Sequence, residues 1–149
     1  MENTLVLLKP DAVQRQLVGP LIARFEQKGL KIVGLKIIQV SQALAEEHYA
    51  VHKERPFFSD LITYITSGPV VAMVLQGPSA ISVVRNMIGI TNPAEAAPGT
   101  IRGDYGLEIG RNLVHASDGA ETAKAEISLW FGTEGVLSYT RQIEPWILE

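Results

Sequence analysis

The run Val70–Gln76, VVAMVLQ, is continuously apolar and is bounded on both sides by glycine–proline pairs, Gly68-Pro69 and Gly77-Pro78. A short apolar run between such breakers reads as a fully buried β-strand. Working back from it, Phe57, Phe58, Leu61, Ile62 and Ile65 recur at helical spacing and stop at Ser67-Gly68-Pro69. Ser41 caps an earlier helix expected to run to about Lys53, so the two form a helical pair. Working forward, Ser79 to Ile88 predicts a helix with Ala80, Val83, Val84 and Met87 on one face. Thr4 to Leu8 is a first strand, ended by Pro10, and Leu30 to Val40 a second, with Gly34 as a bulge or close-approach point. Between them Gly19-Pro20 opens a helix that Lys28-Gly29 closes. Gly89 to Gly110 carries prolines and glycines with no sustained period, and an aperiodic segment of that length is usually functional. Leu113 to Ala116 is a last short strand, and Ser117-Asp118-Gly119 caps a helix from Ala120 to Phe131. This order predicts an α+β sandwich of the ferredoxin-like kind, βαββαβ. Its four-stranded, mainly antiparallel sheet has helices on one face, an added helical pair and the long loop.

The chain has 149 residues, enough for one domain over 1–149 with a real core. It has no cysteine, which excludes disulfides, thiolate metal sites and a thiolate nucleophile. Thirteen Lys and Arg against sixteen Asp and Glu give a net charge of −3. That is a poor match for nucleic acid as a primary ligand, which usually calls for a basic face. The apolar content of 46% and mean hydropathy of +0.14 suit a compact chain with apolar surface to spare for self-association. Leu61 to Val84 holds no charged residue and is long enough to cross a bilayer, but two glycine–proline breaks divide it. No membrane association and a cytoplasmic location are expected, because the N-terminal apolar run stops at Lys9.

The usual phosphate loops, the dinucleotide fingerprint, the serine elbow and the zinc-protease helix are all missing from the sequence. The sharpest cluster is Asn112 to Asp118, NLVHASD. His115 ends an apolar strand just before a helix, where side chains are presented at a mouth and helix amides attract anions. A neutral imidazole can attack phosphorus with one nitrogen while an acceptor holds the other. Taken alone, a histidine in such a run is more often a core residue satisfied by backbone. Ser117, Asp118 and Glu126, two turns down the next helix, supply the polar company that a nucleophile needs. Lys9, Arg85, Thr91, Arg102 and Asn112 are candidate phosphate ligands, since phosphoryl transfer requires mainly positioning and charge neutralisation. Phe57 is placed to stack a base or to join the core, and Tyr49 is similarly two-sided. His48 and His52 have zinc-compatible spacing, but with no cysteine the acids Glu46, Glu47 and Glu126 would have to complete a set, so no protein-held metal is expected.

The segments LKPDAVQR (8–15), FEQKGLKIVGLK (25–36), HYAVHKERPFF (48–58), SGPVVAMV (67–74), NPAEAAPGTIRGDYG (92–106) and GRNLVHASD (110–118) resemble the nucleoside diphosphate kinases over essentially the whole chain. The last resembles the family motif N-x-x-H-G-S-D, with Ala116 where glycine is commoner. The resemblance implies the ferredoxin-like fold and a ping-pong cycle. In that cycle His115 takes the γ-phosphoryl group of a nucleoside triphosphate such as ATP and passes it to a diphosphate. It implies that Glu126 and Ser117 orient the imidazole and that Tyr49 lies close to it. Lys9 and Asn112 would contact the sugar, Lys9 also the moving phosphate. Arg85, Thr91 and Arg102 would hold the phosphates, with Phe57 and Ile109 around the base. Stacking on apolar surface would tolerate purines and pyrimidines alike. Mg2+ would ride on the nucleotide phosphates, because no all-protein carboxylate cage is visible. The tail resembles that of hexameric members, although tetrameric relatives share the core. Two rival classes are an RNA-binding sheet, whose paired aromatics are missing, and a phosphocarrier labelled by a partner, which leaves Lys9, Phe57, Arg85 and Arg102 without a purpose.

Overall fold

In the computed structural model, which describes all residues from Met1 to Glu149, strands β1 (Glu2–Leu8) and β3 (Val70–Gly77) lie side by side at the centre of one sheet. β2 (Lys31–Ile38) borders β3, and β4 (Val114–Ala116) borders β1, giving the order β2-β3-β1-β4 with every neighbouring pair antiparallel. This is the ferredoxin-like arrangement. The β2–β3 register shifts between Ile32 and Gly34, the expected bulge. Gly34 is also a close approach, since a Cβ there would come within 3.0 Å of the Phe131 ring.

Helices cover both faces of the sheet, which corrects the expectation of one. On β3, Val71, Met73 and Leu75 pack with Leu21 and Phe25 of α2 (Val18–Lys28) and with Ala80, Val84 and Ile88 of α5 (Ala80–Ile88). The alternate residues Val70, Ala72 and Val74 pack with Ala45 of α3 (Gln42–His48), Ile62 and Ile65 of α4 (Phe58–Ile65) and Trp130 of α7 (Ala120–Phe131). Because successive strand residues face opposite ways, a strand apolar at both parities requires a cover on each side.

Four local expectations are revised. A short helix, α1 (Pro10–Gln14), follows β1 directly, with Pro10 in its first turn, where a missing N–H costs nothing. Ser41 Oγ caps α3 by accepting from the Leu44 N–H, but α3 ends at His48 because Tyr49 leaves the helical region to bury its ring, and a 3-10 turn follows over Ala50–His52. The 89–110 segment carries α6 (Ile101–Tyr105), capped by Thr100, whose Oγ accepts from the Gly103 N–H at 3.0 Å. Gly103 is required there, since a Cβ would overlap the Ala97 carbonyl. Arg24 on α2 ties this segment down, pairing with Asp104 at 2.5 Å and donating to the Gly99 carbonyl at 3.1 Å. Finally, Ser117 is not a helix cap. Its side chain is turned inward, and α7 starts from Gly119 without a side-chain cap. The tail after α7 holds one 3-10 turn, Glu144–Trp146. No helix is long and apolar enough to cross a membrane.

Candidate active site

Alternation along β4 decides where the histidine points. Val114 and Ala116 join the core on the α2/α5 face, so His115, paired across the sheet with Leu7, faces α3 and α7. There it borders a cleft of about 550 Å³. Glu126 reaches it from the middle of α7, and Glu126 Oε2 lies 2.9 Å from His115 Nε2. Glu126 Oε1 accepts from Ser117 Oγ at 2.7 Å, and that same Oγ accepts from the Leu5 N–H at 3.1 Å. The frame thus starts on the backbone of central strand β1 and ends on the imidazole.

Burial alone would lift the Glu126 carboxyl. The hydrogen bonds from His115 and Ser117, with the charges of His115 and His48, outweigh it and hold the group below its ordinary range. An ionised carboxylate only accepts, so Nε2 carries the ring proton and Nδ1 keeps a lone pair in the neutral form. His48 packs edge-on against His115 at 4.7 Å between ring centroids and against Trp130 at 5.4 Å. Its Nδ1 accepts from the Trp130 indole N–H at 3.1 Å. Burial, with His115 beside it, pushes His48 down to about 3, so it stays neutral. Tyr49 meets His48 at 4.7 Å, and burial, with the Glu126 charge, pushes its hydroxyl up to about 12, which keeps the proton on.

The backbone leading into His115 is strained. Leu113, fully buried, has φ +73°, and Val114 N–H bonds the Asn112 carbonyl across it at 2.8 Å. A γ-turn of this hand is rare, and a bulky residue in it costs on the order of 1–3 kcal/mol. The surrounding contacts hold it: the Leu113 carbonyl accepts from the Lys9 N–H at 2.8 Å, and the Leu113 N–H donates to Asp11 Oδ2 at 3.1 Å.

Cations from three elements converge on the other side of the cleft. Lys9, at the β1–α1 junction, donates to Asn112 Oδ1 at 2.8 Å, and Asn112 Nδ2 in turn donates to the Thr91 carbonyl at 3.2 Å. Burial, reinforced by the nearby Arg102 charge, brings the Lys9 amine down to about 8. Arg85 on α5 donates to the Ala116 carbonyl at 3.2 Å. Arg102 on α6 is buried, and three of its five N–H groups go to the carbonyls of Asn112, Gly89 and Val114, at 3.2, 2.9 and 2.6 Å. It is therefore an organiser of the backbone around the cleft as well as a lining cation.

Lys9, Tyr49, Arg85, Thr91, Arg102, Asn112, His115 and Glu126 all line this one cleft. Ser117 lies behind them, fully buried. Phe57 and Ile109 are not on the lining; they stand 45% and 60% exposed, Phe57 with its ring 5.4 Å from that of His52. The methyl of Ala116 is absorbed by the core on the face opposite His115. Asp11 and Trp130 carry no signal in the sequence, because the side-chain bonds that place them span 53 and 102 positions for Asp11 and 82 for Trp130; His48 bonds Trp130 and is not half of a zinc pair with His52. His48, His115 and Glu126 bring three ligand atoms within 4.8 Å, but His48 Nδ1 is engaged by Trp130 and imidazoles are poor partners for Mg2+. The acids on the lining are Glu47, Asp118 and Glu126, and only Glu126 belongs to that group.

The sequence profile of the nucleoside diphosphate kinase family matches residues 2–136. A relative from Microcystis aeruginosa, "Nucleoside diphosphate kinase", is 59% identical over the full length of both chains. One from Archaeoglobus fulgidus with the same name is 58% identical over 100% of this chain and 99% of the relative. Among solved structures, a halophilic nucleoside diphosphate kinase from Halobacterium salinarum, in complex with CDP, superposes with a TM-score of 0.95 at 47% identity over 99% of each chain. A nucleoside diphosphate kinase family protein from Babesia bovis superposes with 0.97 at 45% identity, over 99% of this chain and all of that one. With fold, full-length identity and a histidine cleft rimmed by cations in agreement, the chain belongs to the nucleoside diphosphate kinase family, phosphotransferases that act on nucleoside diphosphates.

Proposed function

We propose that His115 is the residue that carries the phosphoryl group between a nucleoside triphosphate donor and a nucleoside diphosphate acceptor. The single observation that carries this reading is the Ser117–Glu126–His115 chain, which engages Nε2 and leaves the Nδ1 lone pair for phosphorus. In the first half-reaction Nδ1 attacks the γ-phosphorus, the bond from phosphorus to the β–γ bridging oxygen breaks, and the diphosphate leaves with that electron pair. The Nε2 proton stays on the ring, shared with Glu126, which offsets the positive charge that develops on the imidazole. The second half-reaction is the reverse, with a different diphosphate supplying the attacking oxygen, so the cycle is ping-pong. Broad base specificity follows from stacking on apolar surface, and broad sugar specificity belongs to the same reading.

Lys9, Arg85, Thr91 and Arg102 neutralise and orient the phosphates, Lys9 and Asn112 meet the sugar, Tyr49 braces the histidine pair, and Phe57 with Ile109 receives the base. CDP in the Halobacterium salinarum relative is a ligand of the class expected here. Mg2+, carried by the nucleotide, supplies charge neutralisation on the phosphate oxygens. We further read the chain as one working domain, 1–149, located in the cytoplasm and assembled as a homohexamer rather than the tetramer of some relatives. Exposed apolar side chains on edge strand β2, Leu35 and Ile37, and Trp146 in the tail favour self-association.

The test is incubation with γ-labelled ATP and Mg2+ without acceptor. The expected result is an acid-labile, base-stable label on His115 that discharges to GDP and to a deoxypyrimidine diphosphate. His115→Ala should abolish labelling and transfer while nucleotide still binds, since the clamp is intact. Transfer at the normal rate by that variant refutes the assignment, and a label that ignores diphosphates favours the phosphocarrier reading.

A further inference from the structure

Asp11 does not line the cleft, yet it holds the backbone that carries it. In a γ-turn the N–H of the central residue is left out of the turn's own hydrogen bond, and at Leu113 that N–H is buried and would be orphaned. Asp11 Oδ2 accepts it at 3.1 Å. The second carboxylate oxygen accepts from the hydroxyl of Tyr64 on α4. The Arg111 guanidinium lies over the Tyr64 ring, 4.5 Å from its centroid. Asp11 is itself fixed, because it sits in the first turn of α1, two residues after Lys9, whose N–H holds the Leu113 carbonyl. Both polar groups of Leu113 are therefore held by the short segment Lys9–Asp11. On either side of Leu113 stand the groups that the proposed reaction uses: Asn112, whose side chain bonds Lys9, and His115, two residues on.

We propose that Asp11, backed by Tyr64, is a positioning residue: it holds the positive-φ turn at Leu113 and so sets where Asn112 and His115 stand. This rests on the reading of His115 as the phosphoryl carrier. A leucine gives the chain no intrinsic reason to adopt positive φ, unlike glycine. Without the carboxylate the turn relaxes toward negative φ and rotates the Asn112–Leu113 peptide. That rotation draws the Asn112 carbonyl from Arg102 Nε, now 3.2 Å away, and shifts the approach to His115.

The test uses the full chain and three variants, Asp11→Ala, Asp11→Asn and Tyr64→Phe. It follows single-turnover labelling of His115 by ATP and Mg2+, equilibrium nucleotide affinity and thermal unfolding. Asp11→Ala is expected to slow labelling about 10- to 100-fold, the scale of a small misplacement, with a much smaller loss of affinity. Asp11→Asn should recover most of the rate, because its amide oxygen can still accept from Leu113, and Tyr64→Phe should fall between. A folded Asp11→Ala with an unchanged rate overturns the proposal, as does an Asp11→Asn variant as slow as the alanine. If the alanine variant does not fold, the other two decide: wild-type rates in Tyr64→Phe combined with full loss in Asp11→Asn refute it. Failure of the unaltered chain to form phosphohistidine overturns the function itself, and this proposal with it.

Discussion

His115 and Phe57 are both expected to touch the same nucleotide, yet their surroundings are opposite in kind. His115 is held by Glu126, which is held by Ser117, which is held by the Leu5 peptide, and His48, itself held by Trp130, packs against the imidazole. Phe57 is 45% exposed at the start of α4, off the lining of the cleft, with the His52 ring beside its own. A reacting atom needs placement to a fraction of an ångström, so its supports are layered and buried. A base that must be accepted whatever its edge pattern needs only a flat apolar surface, which a loosely held aromatic provides. The histidine end is therefore where substitutions cost rate, and the Phe57 end where they cost affinity.

The largest break in this contrast is Glu126→Gln. The amide keeps the shape but has one acceptor oxygen where the carboxylate has two, so either His115 Nε2 or Ser117 Oγ loses its partner. The rate of phosphohistidine formation should drop by about 100-fold, the scale of a small misplacement of the reacting atom. Unfolding in denaturant should show a loss of about 1–3 kcal/mol from the unpaired donor. A variant with unchanged rate would mean that the imidazole is oriented by packing on His48 and not by the carboxylate.

A smaller effect comes from Lys9. Its amine is brought down to about 8 in the unliganded protein, so it is charged at neutral pH and loses that charge as pH rises through about 8. Losing the cation removes a charge-assisted contact to phosphate, of about 1.5–3 kcal/mol, so kcat/KM falls on the alkaline side. Since kcat/KM reports the free enzyme, the descending limb should lie near pH 8, and Lys9→Arg should move it beyond reach because guanidinium stays protonated. A wild-type profile that stays flat through that range removes Lys9 from the phosphate site.

How much of this was legible in the sequence follows the range of each contact. His115, Ser117 and Asp118 lie within four positions, and Glu126 falls two helical turns beyond Asp118, so local periodicity was enough to group them. The run Val70–Gln76 reads as a strand buried at both parities, as it is from Val70 to Leu75, and such a strand needs cover on both faces, which the element order alone does not reveal. Asp11 and Leu113 are 102 positions apart, and His48 and Trp130 are 82 apart, with no periodicity to link them. Positive φ at Leu113 has no signal in the residue type, because nothing but its neighbours imposes it. Arg102 was legible as a cation but not as a clamp on three carbonyls, since that role depends on where α6 docks.

The smallest expected effect sharpens the contrast from the other end. Phe57→Ala removes the apolar surface offered to the base and leaves the histidine frame untouched, since no hydrogen bond of Phe57 reaches it. Nucleotide affinity should fall by about 1–3 kcal/mol, the worth of one base–aromatic stack, and by similar amounts for purine and pyrimidine diphosphates. Single-turnover labelling at saturating ATP should hold its rate, because stacking contributes equally to the ground and transition states. Titration of the variant with ADP, GDP and CDP separates the cases. A uniform loss supports a base held by surface alone, whereas a large loss for one base would require a hydrogen-bonding group near Phe57 that reads its edge.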